Sequence, residues 1–151
     1  MLRRLKENKK KGFTLVELIV VLVILAILAA LLVPALTGYI DRAKKKSIIA
    51  ETRQCVMAAQ TLVDEKYGTL AVGEAITVKE SGGTIDFADV VDLAELKGKI
   101  TITNVTLAGA DTKNPNKITE LTCHDGTYTC TYNPGETTNT DGDYKVGKYT
   151  P

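Results

Sequence analysis

A single carboxylate stands at the head of a long apolar segment near the start of this chain. Glu17 is followed by an uncharged stretch from Leu18 to Leu36, and the next charged residue is Asp41. An ionisable group at the edge of hydrocarbon is costly unless another group neutralises it. The chemistry that this pattern indicates is ion pairing in water-poor surroundings, because membrane anchoring alone does not need Glu17.

Charge is distributed unevenly along the 151 residues. Residues 1–12 carry six basic and one acidic side chain, whereas residues 13–151 carry 13 basic and 17 acidic ones, a net charge of −4. A basic end before an apolar span stays in the cytoplasm, so the rest of the chain is expected outside. The other basic residues form no nucleic-acid footprint, and nucleic acid is therefore not expected as a direct ligand.

Two common kinds of N-terminal segment explain only part of this pattern. A secretory signal peptide needs a small-x-small cleavage site after its apolar run, but here the run continues through Thr37-Gly38-Tyr39 into a helix-forming stretch. An uncleaved anchor explains an apolar span of this length. It leaves Glu17 and the Gly12–Phe13 junction without a role.

The N-terminal arrangement resembles the class III signal and first helix of type IV pilins and the related pseudopilins. The matching features are the basic leader (Arg3, Arg4, Lys6, Lys9, Lys10, Lys11), Gly12, Phe13, Thr14, Leu15, Glu17, the apolar run and Pro34. The resemblance implies that a membrane prepilin peptidase cuts between Gly12 and Phe13 and that the new amino terminus is N-methylated. It also implies that Glu17 directs assembly into a helical filament.

Two interpretations of Glu17 remain open. After such a cut the Phe13 amine would be positive, and in a helix Glu17 shares a face with the residue four positions earlier. The carboxylate could then pair with that amine within the chain or in the next subunit. Alternatively, Glu17 lies at the headgroup level, where a carboxylate near a helix start also favours the helix dipole.

One long helix is expected to carry these residues. Past the span, apolar residues recur at helical spacing, namely Ile48, Cys55, Ala59 and Leu62, with Ala58 and Val63 beside them. Gly and Pro are absent from 39 to 67, and Gly68 is a natural stop. The pattern predicts a helix over 13–67 with a kink at Pro34, which lacks a backbone donor.

The remaining chain carries strand and turn signals. A sheet formed by these strands would cover the apolar stripe on the amphipathic half of this helix. Strands are indicated at 99–103, at 105–107 after a change of phase at Asn104 that suggests a bulge or strand end, and at 118–132 around a turn. A short helix is expected from about Phe87 to Leu96 with Thr84 or Asp86 as its cap, and a loop-rich tail from about Asn133.

The fold class follows from these elements. We expect an α+β fold in which a long N-terminal helix, membrane-spanning in its first half, packs against a small antiparallel β-sheet, as in the type IV pilin fold. The expected organisation is a cleaved leader at 1–12, helix halves at 13–38 and 39–68, and a β-rich head at 69–151.

Cysteine usage fits an exported domain. A type I′ turn at Asp125-Gly126 would place Cys123 opposite Tyr128, whereas a type II′ turn at Gly126-Thr127 would place Cys123 opposite Cys130. The second register would suit a disulfide, and pilins often close a C-terminal loop in this way. Cys55 is expected to be a small buried hydrophobe.

Metal sites are the weaker alternatives for this region. Zinc could use Cys123, His124 and Cys130, but a fourth ligand is not evident. Asp141 and Asp143 supply fewer oxygen ligands than calcium needs. We therefore expect no metal and no cofactor.

The combined patterns predict a structural subunit rather than an enzyme. The sequence shows no Ser-His-Asp order, paired catalytic acids or phosphate loop. The resemblance implies a homopolymer of pilin subunits, with a prepilin peptidase and N-methyltransferase, a pilus assembly platform and, before assembly, membrane lipid as further partners. It also implies a single-pass precursor in the cytoplasmic membrane with its N-terminus inside, and then an extracellular pilus.

Other functions remain open within and outside this class. A type II secretion pseudopilin or a competence pilin would carry the same signal. An uncleaved, monomeric membrane-anchored surface or sensor domain is the alternative of a different class.

One electrostatic contact between subunits is a further hypothesis. Lys44, Lys45 and Lys46 lie just past the span, and acids recur every three residues at Asp86, Asp89, Asp92 and Glu95. On a helix these acids would form one line. Two solvated faces that never meet are the alternative, because exposed pairs stabilise little.

Overall fold

A computed structural model describes residues 12–71, 74–109, 113–138 and 141–151, so the basic leader at 1–11 lies outside the described residues. The elements in chain order are α1 (Leu15–Tyr67), β1 (Val78–Lys79), β2 (Ile85–Asp86), α2 (Phe87–Leu93), β3 (Thr101–Leu107), β4 (Ile118–His124), β5 (Tyr128–Tyr132) and β6 (Tyr144–Lys148). The chain divides into two compact units, Met1–Asp41 and Arg42–Pro151, which are described separately.

The first unit contains the apolar half of α1. Its large side chains from Leu18 to Leu36 are about half exposed or more. One 18-residue window has a mean hydropathy of 3.3 and none of it is buried, so this helix is long and apolar enough to cross a membrane. Pro34 lies inside the helix, and the Thr37 hydroxyl donates to its carbonyl oxygen at 2.9 Å. The predicted kink stays a prediction.

The second unit is a helix packed on a four-stranded antiparallel sheet with strand order β3-β4-β5-β6. Its core is shared between the outer half of α1 and the inward face of the sheet. The fully buried residues of α1 recur at helical spacing, namely Ile48, Thr52, Cys55, Ala59 and Val63. Inward residues alternate where the strands are regular, as Leu121 and Cys123 do in β4 and Tyr128 and Cys130 do in β5. The predicted α+β fold is confirmed.

Two local features of the second unit also match the sequence patterns. The register of β3 against β4 shifts between Ile102 and Asn104, so Thr103 is the extra residue of a bulge one position from the predicted one. The N-cap of α2 is Asp86, which is one of the two caps predicted from the sequence. The carboxylate of Asp89 accepts a hydrogen bond from the Asp86 backbone N–H at 3.2 Å.

The tail after Asn133 is loop-rich as expected, and it also contains β6, which adds the fourth strand and places Tyr144 in the core. Two expectations were wrong in detail. Within the predicted stripe on α1, Val63 is fully buried and Leu62 only partly. Helix α2 ends at Leu93 rather than Leu96, because Glu95 adopts a left-handed backbone conformation with φ +57°.

We expect Gly83→Ala to destabilise the second unit. Gly83 lies in the tight connection between β1 and β2, and an added Cβ would meet the carbonyl oxygens of Ile85 at 2.8 Å and Thr77 at 3.0 Å. Backbone atoms cannot rotate away, so we expect a loss of about 1–3 kcal/mol in the free energy of unfolding. Denaturant unfolding of the detergent-solubilised chain measures it.

Gly147→Ala is the matched control, because a Cβ at Gly147 in β6 meets nothing within 4 Å. Equal unfolding midpoints for the two variants would contradict the close approach described at Gly83.

Candidate functional site

The start of α1 is closed by a reciprocal set of hydrogen bonds between Thr14 and Glu17. The Thr14 backbone N–H and hydroxyl donate to Oε2 of Glu17 at 2.8 and 2.6 Å. In return, the Glu17 backbone N–H donates to Oγ1 of Thr14 at 3.3 Å. Since α1 begins at Leu15, this is a capping box with Thr14 at the cap and Glu17 at the third helical position.

Phe13 and Gly12 precede the helix. The Phe13 side chain is 83% exposed, and nothing lies within 4 Å of the position that a Cβ on Gly12 would take. The sequence interpretation placed Phe13 and Glu17 on one helical face, whereas Phe13 lies two residues before the helix begins. The Glu17 carboxylate reaches Thr14 instead, one peptide unit from the Phe13 nitrogen.

The three cysteines converge in the core of the second unit. Cys123 in β4 is paired directly with Cys130 in β5, and both side chains are fully buried. In the turn between these strands Gly126 has φ +85° while Thr127 is not among the described residues with positive φ. This is the type II′ turn, and the register that it sets is the one predicted to suit a disulfide.

The structure holds Cys55, Cys123 and Cys130 as free thiols. Thr52 Oγ1 lies 3.1 Å from Cys123 Sγ, so the helix hydroxyl and the strand thiol share a hydrogen bond. Burial raises the pKa of the Cys123 thiol to about 12, which keeps it protonated near neutral pH. The Cys123–Cys130 disulfide stays a prediction, and Cys55 is buried as expected.

The geometry gives the metal alternatives no support. Within the described ranges, no group of three His, Cys, Asp or Glu side chains is placed to hold a metal ion. His124 does not join Cys123 and Cys130 in the core, because its ring stacks on Tyr149 with centroids 3.9 Å apart. The Asp143 carboxylate accepts a hydrogen bond from the Gly135 backbone N–H at 3.0 Å, which ties two parts of the tail together.

The acidic residues that were predicted to form one line on a helix instead make separate contacts with nearby residues. Asp86 accepts from the Gly83 N–H at 3.1 Å, Asp89 accepts from the Asp86 N–H, and Asp92 pairs with Lys97 at 3.1 Å. Glu95 lies beyond the end of α2. The hypothesis of a single acidic line on one helix was therefore wrong.

Sequence reasoning missed two residues that the structure places at these sites. Thr14 was only a motif match, although the Thr-x-x-Glu spacing before an apolar run is a recognised capping signal. Thr52 interrupts the apolar stripe of α1, and its hydroxyl is satisfied by donating to the Ile48 carbonyl oxygen at 2.7 Å. A polar residue at a core position of the stripe is the signal that could have identified it.

We expect Cys123 and Cys130 to be disulfide-bonded in the exported protein while Cys55 stays a thiol. The direct pairing between β4 and β5 places the two Cα atoms within the range that a disulfide spans. Alkylation of the unfolded chain without reductant should label Cys55 alone, and prior reduction should expose all three. A peptide map that joins Cys55 to either of the others would contradict the assignment.

A comparison with protein families identifies the N-terminal segment. Residues 8–33 match the family described as the prokaryotic N-terminal methylation motif. No solved structure matches the chain. The motif indicates a structural subunit rather than an enzyme, and it implies processing by a prepilin peptidase and assembly with other pilin subunits. The segment that contains Gly12, Phe13 and Glu17 therefore carries the class III signal of a type IV pilin-like or pseudopilin precursor.

Proposed function

We propose that this chain is the structural subunit of a type IV pilus filament. It is inserted into the cytoplasmic membrane with its N-terminus inside, cut after Gly12, N-methylated on Phe13 and assembled through α1. The observation that carries the proposal is the Thr14–Glu17 capping box at the head of an exposed apolar helix. A structural cap holds the single charge of this region beside the position of the new amino terminus.

In this proposal the apolar surface of the first half of α1 is used twice, before and after assembly. Before assembly, residues 13–38 span the membrane, and lipid covers their exposed apolar side chains. After cleavage of 1–12, neighbouring copies cover them in the filament core, outside the cell. Residues 39–68 and 69–151 form the amphipathic helix half and the β-rich head. The assembly platform and the peptidase act between the two stages.

Glu17 has a distinct task at each stage. In the precursor its carboxylate accepts two hydrogen bonds from Thr14, which lowers the cost of placing a charge at the apolar boundary. After the cut, Phe13 carries an ammonium group one residue from Thr14. Pairing of Glu17 with that group, in its own chain or in a neighbour, would neutralise both charges when the helices leave the lipid.

We expect cleavage between Gly12 and Phe13. Intact-mass measurement of filaments from cells that contain the peptidase should show a chain that starts at methylated Phe13. Gly12→Val should retain the leader, because a side chain there meets no atom of the described chain and would obstruct only the peptidase. A mature species that retains residues 1–12 would leave an uncleaved membrane-anchored domain as the better interpretation.

We expect Glu17→Ala to give a processed but unassembled subunit. Glu17→Gln is the matched variant, because its amide oxygen can still accept from Thr14 but it carries no charge. Neither change alters the apolar helix or the Gly12–Phe13 junction, so both variants should be cut normally. Both leave the new Phe13 ammonium group without a counter-charge, so both should lack filaments in electron micrographs.

The two substitutions separate the cap from the charge. Normal filaments from Glu17→Gln with none from Glu17→Ala would show that only the capping hydrogen bonds matter. Normal filaments from both would contradict any role of Glu17 in assembly.

A further inference from the structure

The second unit has an exposed groove between the outer half of α1 and the end of α2. Four of its seven lining residues are apolar: Met57, which is 57% exposed, Leu93, which is 49% exposed, Ala58 and Ala94. Gln54, Thr61 and Glu95 complete the lining. The groove has a volume of about 370 Å³. Among the described residues beyond 41, the exposed large apolar side chains are Met57, Tyr67 and Leu93, so two of the three lie in this groove.

One carboxylate lies at the rim of the groove, that of Glu95, which lines it directly. Asp64 is not among the lining residues. It lies seven residues after Met57 on the same face of α1, where its carboxylate accepts a hydrogen bond from the Gln60 side-chain amide at 2.9 Å. An apolar floor with an acidic rim fits a partner that presents long cationic side chains, whose aliphatic stems cover apolar surface while their charged ends remain at the edge.

Glu95 occupies a backbone position that normally favours glycine. Its φ is +57°, and it closes α2 through hydrogen bonds from the Glu95 N–H to the Asp92 carbonyl oxygen and from the Leu96 N–H to the Val91 carbonyl oxygen. A side chain in this conformation carries strain that glycine avoids. Glycine at position 95 would therefore suit the backbone, so the carboxylate can be removed there without destabilising the fold.

The same chain presents a matching cationic face. Arg42 and Lys46 are exposed on α1 and lie four residues apart, so their side chains share one face. Lys45 lies over the Tyr128 ring at 5.8 Å, and Lys44 points to a different face of the helix from Arg42 and Lys46. Arg42 and Lys46 therefore form a cationic pair of the kind that the groove fits.

We propose that the groove of one copy, defined by Met57, Leu93 and Glu95, binds the Arg42–Lys46 face of a neighbouring copy. The inference rests on the proposed function, since it requires copies in one assembly. The two patches differ, so the contact is heterologous. Copies inserted in the same direction have parallel helices, and the 15 residues from Arg42 to Met57 give an axial offset of roughly 22 Å. A contact with an axial offset cannot close into a ring and extends as a filament.

Charge reversal and rescue test the contact in the full-length chain. Lys46→Glu should reduce filament yield about fivefold, since the reversal replaces an attraction by a repulsion. Adding Glu95→Lys to the same chain should restore most of it. Lys44→Glu is the matched control, with the same charge change on another face of the same turn, and should stay near the wild-type yield.

Groove variants test the floor and the rim without disturbing the core. Met57→Glu and Leu93→Glu should reduce filament yield, whereas Tyr67→Glu, at an apolar residue 64% exposed but outside the groove, should not. Glu95→Gly relieves the strained position, so its unfolding midpoint should be unchanged or raised while filament yield falls. Protection of Cys55 from alkylation before unfolding confirms that each variant has folded.

The outcomes distinguish failure of the groove contact from failure of the proposed function. Absence of filaments from the wild-type chain in cells with the peptidase would contradict the proposed function itself. Normal wild-type filaments with no rescue by Glu95→Lys, or with equal losses from Lys44→Glu and Lys46→Glu, would overturn only the groove contact. Wild-type yield from Glu95→Gly would also overturn it.

Discussion

The exposed apolar surface of the first half of α1 is the constraint on which the rest of the structure depends. Each Val, Leu or Ile side chain left in water costs about 1.5–3 kcal/mol relative to full burial. From Leu18 to Leu36 the large side chains remain about half exposed or more. This surface therefore favours an apolar environment, and the proposed function provides one first as lipid and then as other copies of the chain. Three features are compatible with a helix that is surrounded first by lipid and then by other copies of the chain. They are the basic leader, the capped carboxylate and the separate core of the second unit.

The Thr14–Glu17 capping box shows how one charge is tolerated at this boundary. A helix start leaves backbone N–H groups without partners inside the helix. In the capping box the Glu17 carboxylate accepts a hydrogen bond from the Thr14 N–H, and the Thr14 hydroxyl oxygen accepts one from the Glu17 N–H. The same geometry places a negative charge beside the residue that cleavage would convert to an ammonium group. The capping hydrogen bonds and the proposed role of Glu17 in assembly are therefore compatible, because the first would act in the precursor and the second after the cut.

Much of the fold could be predicted from local patterns. The long helix follows from the apolar run and the later stripe of α1, and the bulge near Asn104 follows from a change of phase along β3. The pairing of Cys123 with Cys130 required a choice between two turns, which Gly126 decides by adopting a positive φ alone.

The features that were missed depend on contacts distant in sequence. Strand β6 is only five residues long and follows a Gly- and Asp-rich stretch, so its inward Tyr144 becomes informative only when β5 pairs with it. Thr52 is buried because its hydroxyl meets Cys123, 71 residues later. The left-handed Glu95 ends α2 three residues early, and no pattern of apolar residues marks that position.

The central claim is that copies of the chain replace lipid around the first half of α1. Shearing peptidase-containing cells and sedimenting the released material without detergent tests it most directly. The account predicts filaments in that fraction that contain this chain and no stoichiometric lipid, with the backbone amides of residues 18–36 protected from hydrogen exchange. Recovery of the chain solely as a detergent-extracted monomer in the membrane fraction would contradict it.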